Sequence, residues 1–198
     1  MGRLQWLAGM ASSVIFLGMW IASSSQMPSW NFGKNVVSML GNCEMPIVEL
    51  LFNLACAISG ALGLIFSHAV IGLKDRFRYC GYFTMASGIA LICLGIANQN
   101  YDKPHVLISA IYFLTALASV LISVYSDHLE GRRPFAALDV TLLLICLVSF
   151  LTQPFEMTES VAIVCIIVWT FAHALRLFLF EDGTRGLEVS TLEKPTES

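Results

Sequence analysis

Charge is what this sequence has little of. Of its 198 residues only 13% are Asp, Glu, Lys or Arg, while 57% are hydrophobic. A soluble domain carries about 25% charged residues. So few polar groups cannot clothe that much apolar material in a water-compatible surface, which excludes a soluble globular domain and makes lipid the solvent. No basic tract exists to neutralise phosphates, so nucleic acid is not an expected partner. The six cysteines contain no CxxC pair, which removes the usual zinc and redox patterns. Cys56, Cys80, Cys93, Cys146 and Cys165 lie in or at apolar runs and read as small apolar side chains; Cys43 alone sits in a polar connection. There is no G-x-S-x-G, no H-E-x-x-H and no histidine pair at i,i+4. No cofactor is predicted, although a bound lipid fits the composition.

What is present is six long apolar runs, each near the roughly 20 residues that a spanning helix needs. They cover about 4–24, 46–71, 79–98, 104–126, 135–152 and 158–180. The first lacks a convincing small-residue cleavage site before the polar loop and is expected to be a retained helix. The fold class expected is therefore all-α, a six-helix transmembrane bundle over 1–180. The acidic, polar tail 181–198 is expected to be disordered. With both ends on one side, that side collects nine Lys and Arg (residues 3, 74, 76, 78, 132, 133, 176, 185 and 194) against Lys34 and Lys103 on the other. This asymmetry predicts cytoplasmic N- and C-termini.

Small and polar residues at helical spacing mark the packing faces of such helices. In the fourth run His105, Ser109, Tyr112, Ala116, Ser119, Ser123 and Ser126 alternate steps of four and three, an inward seam along the whole span. The second run carries Glu49, Asn53, Cys56, Gly60, Gly63 and Ser67 on one stripe, and the third Gly81, Thr84, Gly88 and Gly95. Ionisable residues within spans usually face a partner or a cavity, and here they fall into two groups. Near the expected cytoplasmic face are His68, Asp139, His173 and Arg176. An Asp139–arginine pair is one reading of them; a proton-linked or metal site on His68, Asp139 and His173 is the other, since two histidines and a carboxylate can hold zinc with an open position. Near the outer face are Glu49, Asn53, Asn98, Asp102, His105, Gln153 and Glu156. Asp102 precedes Pro104 and suits a helix N-cap. His105 opens the polar seam and suits a general base, a ligand or a headgroup donor.

The longest connection contains WNFGKNVVSMLGN, residues 30–42. Val36, Met39 and Leu40 share one helical face and Asn35, Ser38 and Asn42 another, with Asn31 as a candidate N-cap and Gly41 as a stop. Trp30 and Phe32 suit the headgroup level. The stretch predicts a short amphipathic helix on the outer face, too short to stand alone in water and placed as a lid over the outer polar group.

The N-V-V-S-M-L-G pattern of Asn35 to Gly41, the Phe52-Asn53 pair in the second run and the histidine opening the fourth resemble the multi-pass membrane family called domain of unknown function 998. More distantly they resemble the six-helix Frag, DRAM and Sfk group. Asn35, Ser38, Leu40 and Gly41 match that family's loop signature, and Met39 stands where many members carry an acidic residue. The resemblance covers roughly residues 5–175. It implies six helices and an important outer loop, brings no reaction, and through the distant group leans towards lipid handling.

Two functional expectations follow. The first is a membrane protein that binds a lipid or amphiphile in an outer-leaflet cleft of the bundle, through Asn35, Ser38, Glu49, Asn53 and His105. The second is a membrane-embedded hydrolase or transferase using His105 with Asp102 or Glu49. A role as accessory subunit of a larger membrane complex, or self-association, is equally compatible with the sequence.

Overall fold

The computed structural model describes residues 3–97 and 102–192, with side chains outside the described part at 102 and 181–192. It is all-helical among the described residues: α1 (Arg3–Ser25), a 3-10 helix η1 (Val37–Gly41), α2 (Pro46–Ile71), α3 (Arg78–Ile96), α4 (Asp102–Leu129), α5 (Arg133–Thr152) and α6 (Phe155–Leu192). All six α-helices are long and apolar enough to cross a membrane, α6 through its Phe155–Phe180 portion. Six such helices is the number expected; Asn98, the end of the third expected run, lies outside the described residues. The backbone of α6 continues as helix to Leu192, into the tail expected to be disordered from 181.

Each helix packs on its neighbour in sequence, and α6 returns to α1, so the six close into a ring. Short connections dictate this, because a few residues can reach only an adjacent antiparallel helix. One end of the ring carries η1 and the turn 153–154; the other carries the 72–77 and 130–132 turns. Gly131 takes a left-handed φ of 73° in the second of these turns, which glycine adopts at no steric cost.

The α2–α3 contact is the most extensive, and glycine makes it so. Gly81, Gly88 and Gly95 repeat every seven residues along α3. A Cβ on Gly95 would stand 2.6 Å from the Asn53 carbonyl oxygen, and one on Gly88 3.1 Å from that of Gly60. Apolar surface gains little from packing against helix rather than lipid, so close backbone approach and interhelical hydrogen bonds must hold the bundle. Such bonds join α1 to α2, where Ser12 Oγ donates to the Ser59 carbonyl and Ser23 Oγ to that of Val48, both at 2.9 Å. The inward seam of α4 behaves as its spacing predicts: Tyr112, Ala116, Ser119, Ser123 and Ser126 are all buried.

The connection between α1 and α2 differs from the expected amphipathic helix in its pitch and length. Only residues 37–41 are helical, and in the 3-10 form, where side chains three apart eclipse. Val37 and Leu40 therefore share the buried face, both fully enclosed beside Phe16, Val48, Phe52 and Ile163, whereas a 3.6-residue period had grouped Val36, Met39 and Leu40. Asn31 caps a preceding turn instead: its carbonyl accepts the N–H groups of Lys34 and Asn35. Trp20 of α1 meets Phe32 and Trp30 at 6.0 and 6.2 Å between ring centroids, which fastens the loop to the bundle.

Two glycines one turn apart on α2 should respond oppositely to alanine. A Cβ at Gly60 would lie 2.7 Å from the Gly88 carbonyl oxygen, while one at Gly63 meets nothing within 4 Å. Gly60→Ala is expected to cost about 1–3 kcal/mol, and Gly63→Ala to be neutral or to stabilise by up to about 1 kcal/mol. Unfolding of the two variants in mixed micelles separates these outcomes.

Candidate functional site

Near the 72–77 and 130–132 turns a charged cluster is built from four separate segments. Asp127, one helical turn after Ser123 on α4, is completely buried. Its Oδ1 accepts from Arg132 Nε and its Oδ2 from Arg176 Nη1 of α6, both at 2.7 Å. Arg132 also donates to Asp75 of the 72–77 turn at 2.8 Å. Arg132 lies outside the spans; burial works against its charge, but its bonds to Asp75 and Asp127 outweigh this and hold its pKa above the usual arginine value. Beside this network, Asp139 of α5 takes Oδ1 to His173 Nε2 at 2.9 Å and accepts a hydrogen bond from Ser123 Oγ at Oδ2. His173 Nδ1 faces Asp127 Oδ2 at 3.9 Å. Asp139 and His173 have no exposed surface.

Aromatic rings enclose the imidazole. Phe77 stacks on it at 5.1 Å between centroids, Trp169 lies at 5.0 Å and Phe135 at 5.8 Å. The Arg176 guanidinium approaches Phe77 at 4.2 Å and Phe135 at 5.0 Å, so the rings favour positive charge on both sides through their negative faces. Of the group expected here, Asp139, His173 and Arg176 come together. His68 is exposed and takes no part; Asp127 holds its place. Donor atoms of Asp127, Asp139 and His173 lie within 4.8 Å of one another, a spacing that suits a cation. Both oxygens of Asp127, however, already serve guanidinium groups, and a divalent ion there would sit against two fixed positive charges.

At the η1 end a second arrangement forms around the 3-10 helix. Glu159, in the second turn of α6, accepts the Val37 N–H at Oε2, 2.7 Å away, and also the Ser38 N–H. At the other end of η1, Asn53 Nδ2 of α2 donates to the Gly41 carbonyl at 3.3 Å. A carboxylate thus caps the positive end of η1 and an amide donor its negative end. Between them is a cavity of about 40 Å³ lined by Ser38, Asn53, His105, Tyr112 and Glu159 among others. His105 bonds through Nδ1 to the Ala97 carbonyl at 3.1 Å. A carbonyl can only accept, so Nδ1 carries the proton and a neutral ring leaves Nε2 as acceptor.

The expected outer residues therefore separate. Ser38, Asn53 and His105 meet at this cavity. Asn35 is spent on the loop, its Oδ1 accepting the Asn31 N–H at 2.8 Å. Glu49 is spent likewise: Oε1 accepts the N–H groups of Cys43 and Glu44 at 2.9 and 3.0 Å, which holds Glu44 at its positive φ of 62°. Gln153 is exposed, and Glu156 is half-buried. Asn98 and the Asp102 side chain lie outside the described residues. Glu159 and Asp127 were missed by sequence reasoning.

A third feature opens sideways. Between α4, α5 and α6 runs an apolar groove of about 370 Å³, walled by Leu117, Leu142, Cys146, Phe150 and Ala162 among others, with Thr158 and Glu159 at its polar rim. Glu159 and Phe113 line both this groove and the small cavity.

Six spans, a plugged end and a laterally open groove define an integral, multi-pass membrane protein. The chain belongs to the family described as Protein of unknown function (DUF998), which matches residues 10–176. No curated protein and no solved structure matches it.

Removing one partner from a buried ion pair strands the other charge, at about 3–5 kcal/mol. Asp127→Ala is expected to destabilise by this amount, and Asp127→Leu combined with Arg176→Met to recover most of it, in the same micelle unfolding measurement. At the other end, Glu159→Ala should raise amide hydrogen exchange at Val37 and Ser38 by about tenfold or more, since their N–H groups lose their acceptor; unchanged protection would refute the capping role.

Proposed function

We propose that this protein binds a single-chain amphiphile in the groove between α4, α5 and α6, with the polar head at Glu159. The observation that carries this reading is the shared wall. One carboxylate stands both at the rim of an apolar groove of about 370 Å³ and on a small polar cavity. Ligand sites are concave, largely apolar spaces of about 300–1,000 Å³ with few polar groups, and the groove fits that description. The cavity beneath η1, at about 40 Å³, holds a few waters or the tip of a head, not a lipid. The expected cleft thus moves sideways: the chain lies in the groove, and only a hydroxyl or amine reaches towards Glu159, Ser38, Asn53 and His105.

We infer the topology from charge. Arg132 and Arg176 are committed to Asp127, yet seven Lys and Arg still lie on the termini side against two on the η1 side. That asymmetry supports cytoplasmic termini, and with that orientation the Glu159 rim belongs to the outer leaflet. The hydrolase reading is weaker, because Glu49 is tied into the 43–44 turn.

The test is native mass spectrometry of protein released gently from detergent. The unsubstituted chain is expected to retain lipid, Ala162→Phe to lose most of it by filling the groove, and Glu159→Gln to keep chain binding while losing preference for amine-bearing heads. Equal retention by Ala162→Phe and the unsubstituted protein would overturn the proposal.

A further inference from the structure

The turn between α2 and α3 and the first residue of α3 carry Lys74, Arg76 and Arg78, all three exposed. Little of this charge is compensated. Asp75 is the acid among them, and both of its oxygens are spent: Oδ1 accepts the Phe77 N–H at 3.1 Å and Oδ2 the Arg132 guanidinium at 2.8 Å. Asp127 is buried and held by Arg132 and Arg176. The Asp75–Arg132 bridge ties the α4–α5 turn to this one, and Arg133, which follows Arg132 there, is exposed as well. Among the described residues Glu130 is the one exposed acid at this end of the bundle. The surface is therefore strongly positive, and it attracts anions over about a Debye length.

The cations stand on a fixed frame. Phe77, between Arg76 and Arg78, is fully enclosed and stacked on His173, which anchors the backbone from which both arginines project. Arg78 is pinned in turn. Its guanidinium lies 5.0 Å from the centre of the Tyr79 ring, and its Nη2 donates to the Tyr79 hydroxyl at 3.2 Å. Groups already held in place lose less freedom when they bind a partner.

The tyrosines say what this surface faces. Tyr79 and Tyr82 at the start of α3 and Tyr125 near the end of α4 are 48%, 55% and 63% exposed, and Phe83 and Ile89 continue the exposed face of α3 into its apolar span. Tyrosine rings of this kind sit where acyl chains give way to headgroups, the ring in the apolar layer and the hydroxyl in the polar one. Arg78, held against Tyr79, is thus at headgroup depth and not in bulk water. The anion at that depth is the phosphate of a neighbouring lipid. A lipid with a net negative head is favoured over a zwitterionic one, because a choline or ethanolamine cation would meet Lys74, Arg76 and Arg133.

We propose that the α2–α3 turn is a binding site for an anionic phospholipid, with the phosphate on Arg76 and Arg78 and the glycerol region against Tyr79 and Tyr82. The site lies at the opposite end of the bundle from Glu159 and is independent of the amphiphile groove. The test is native mass spectrometry of the full chain taken from mixed micelles containing equal amounts of phosphatidylglycerol and phosphatidylcholine. The unsubstituted chain is expected to retain phosphatidylglycerol in preference, by about tenfold or more, and to lose that preference as salt is raised. Arg78→Gln should weaken retention about fivefold and the Arg76→Gln, Arg78→Gln pair about thirtyfold, while Lys34→Gln at the η1 end and Ala162→Phe in the groove leave the preference unchanged. These cations are exposed, and the salt titration of the unsubstituted chain gives a second reading that depends on no substitution. Equal retention of the two lipids, an unaltered preference in the double variant, or an equal loss in Lys34→Gln would overturn the proposal. Displacement of phosphatidylglycerol by inorganic phosphate at matched ionic strength would show that a free anion suffices, and would overturn the assignment to lipid.

Discussion

Asp127 organises the end of the bundle that carries the termini. Its two oxygens take one guanidinium from the turn between α4 and α5 and another from α6, and the first of these reaches on to Asp75 between α2 and α3. A carboxylate in hydrocarbon is tolerable only with this degree of pairing. Four segments are fixed by that requirement, and the Asp139–His173 pair inherits its surroundings from it. Phe77 and Phe135 follow, since they pack on the arginine and the histidine at once.

The other end is held by a different principle. There the exposed groups are the backbone termini of a five-residue 3-10 helix, which has too few internal bonds to persist by itself. Glu159 and Asn53 supply the missing acceptor and donor from helices that are not adjacent in the ring. The plug is therefore a tie between α2 and α6 that passes over α1, and its sequence pattern is intelligible in those terms. Val37 and Leu40 fill the space beneath, and Gly41 leaves room for Asn53, whose Oδ1 would lie 2.7 Å from a Cβ there.

Much of this was legible in the sequence. Hydropathy located every span, and the alternating steps of four and three on α4 named the residues that line the interior. What escaped did so for particular reasons. Asp127 lies one residue past the apolar run of α4 and reads as a loop charge, although a further step of four from Ser123 reaches it. Glu159 sits at the edge of the last run, where an acidic residue reads as a helix start; yet Glu159, Ile163, Ile166, Thr170 and His173 form the same four-three stripe. His68 shows the converse error. It shares a depth with His173 but not a face, and depth alone cannot say which way a helix is turned. The pitch of η1 was also hidden, because five residues fit a period of three as well as one of 3.6.

The unequal fastening of α5 has a mechanical consequence. One end of this helix is fixed by Asp139 and Phe135 to the charged cluster. Towards the other end, α5 is joined to α6 by the Thr158 Oγ1 bond to the Ser149 carbonyl at 3.1 Å and by a contact between the Cys146 and Cys165 thiols, and Phe150 and Leu151 stand about 71% exposed. A rod about 30 Å long, gripped at one end and lightly held at the other, is a lever. A small rotation at the grip becomes a displacement of several ångströms at the tip, where the groove meets the bilayer. Lateral pressure in one leaflet thus acts on α5 with a long arm, while the same pressure on the α2–α3 pair meets backbones in close contact along the whole interface.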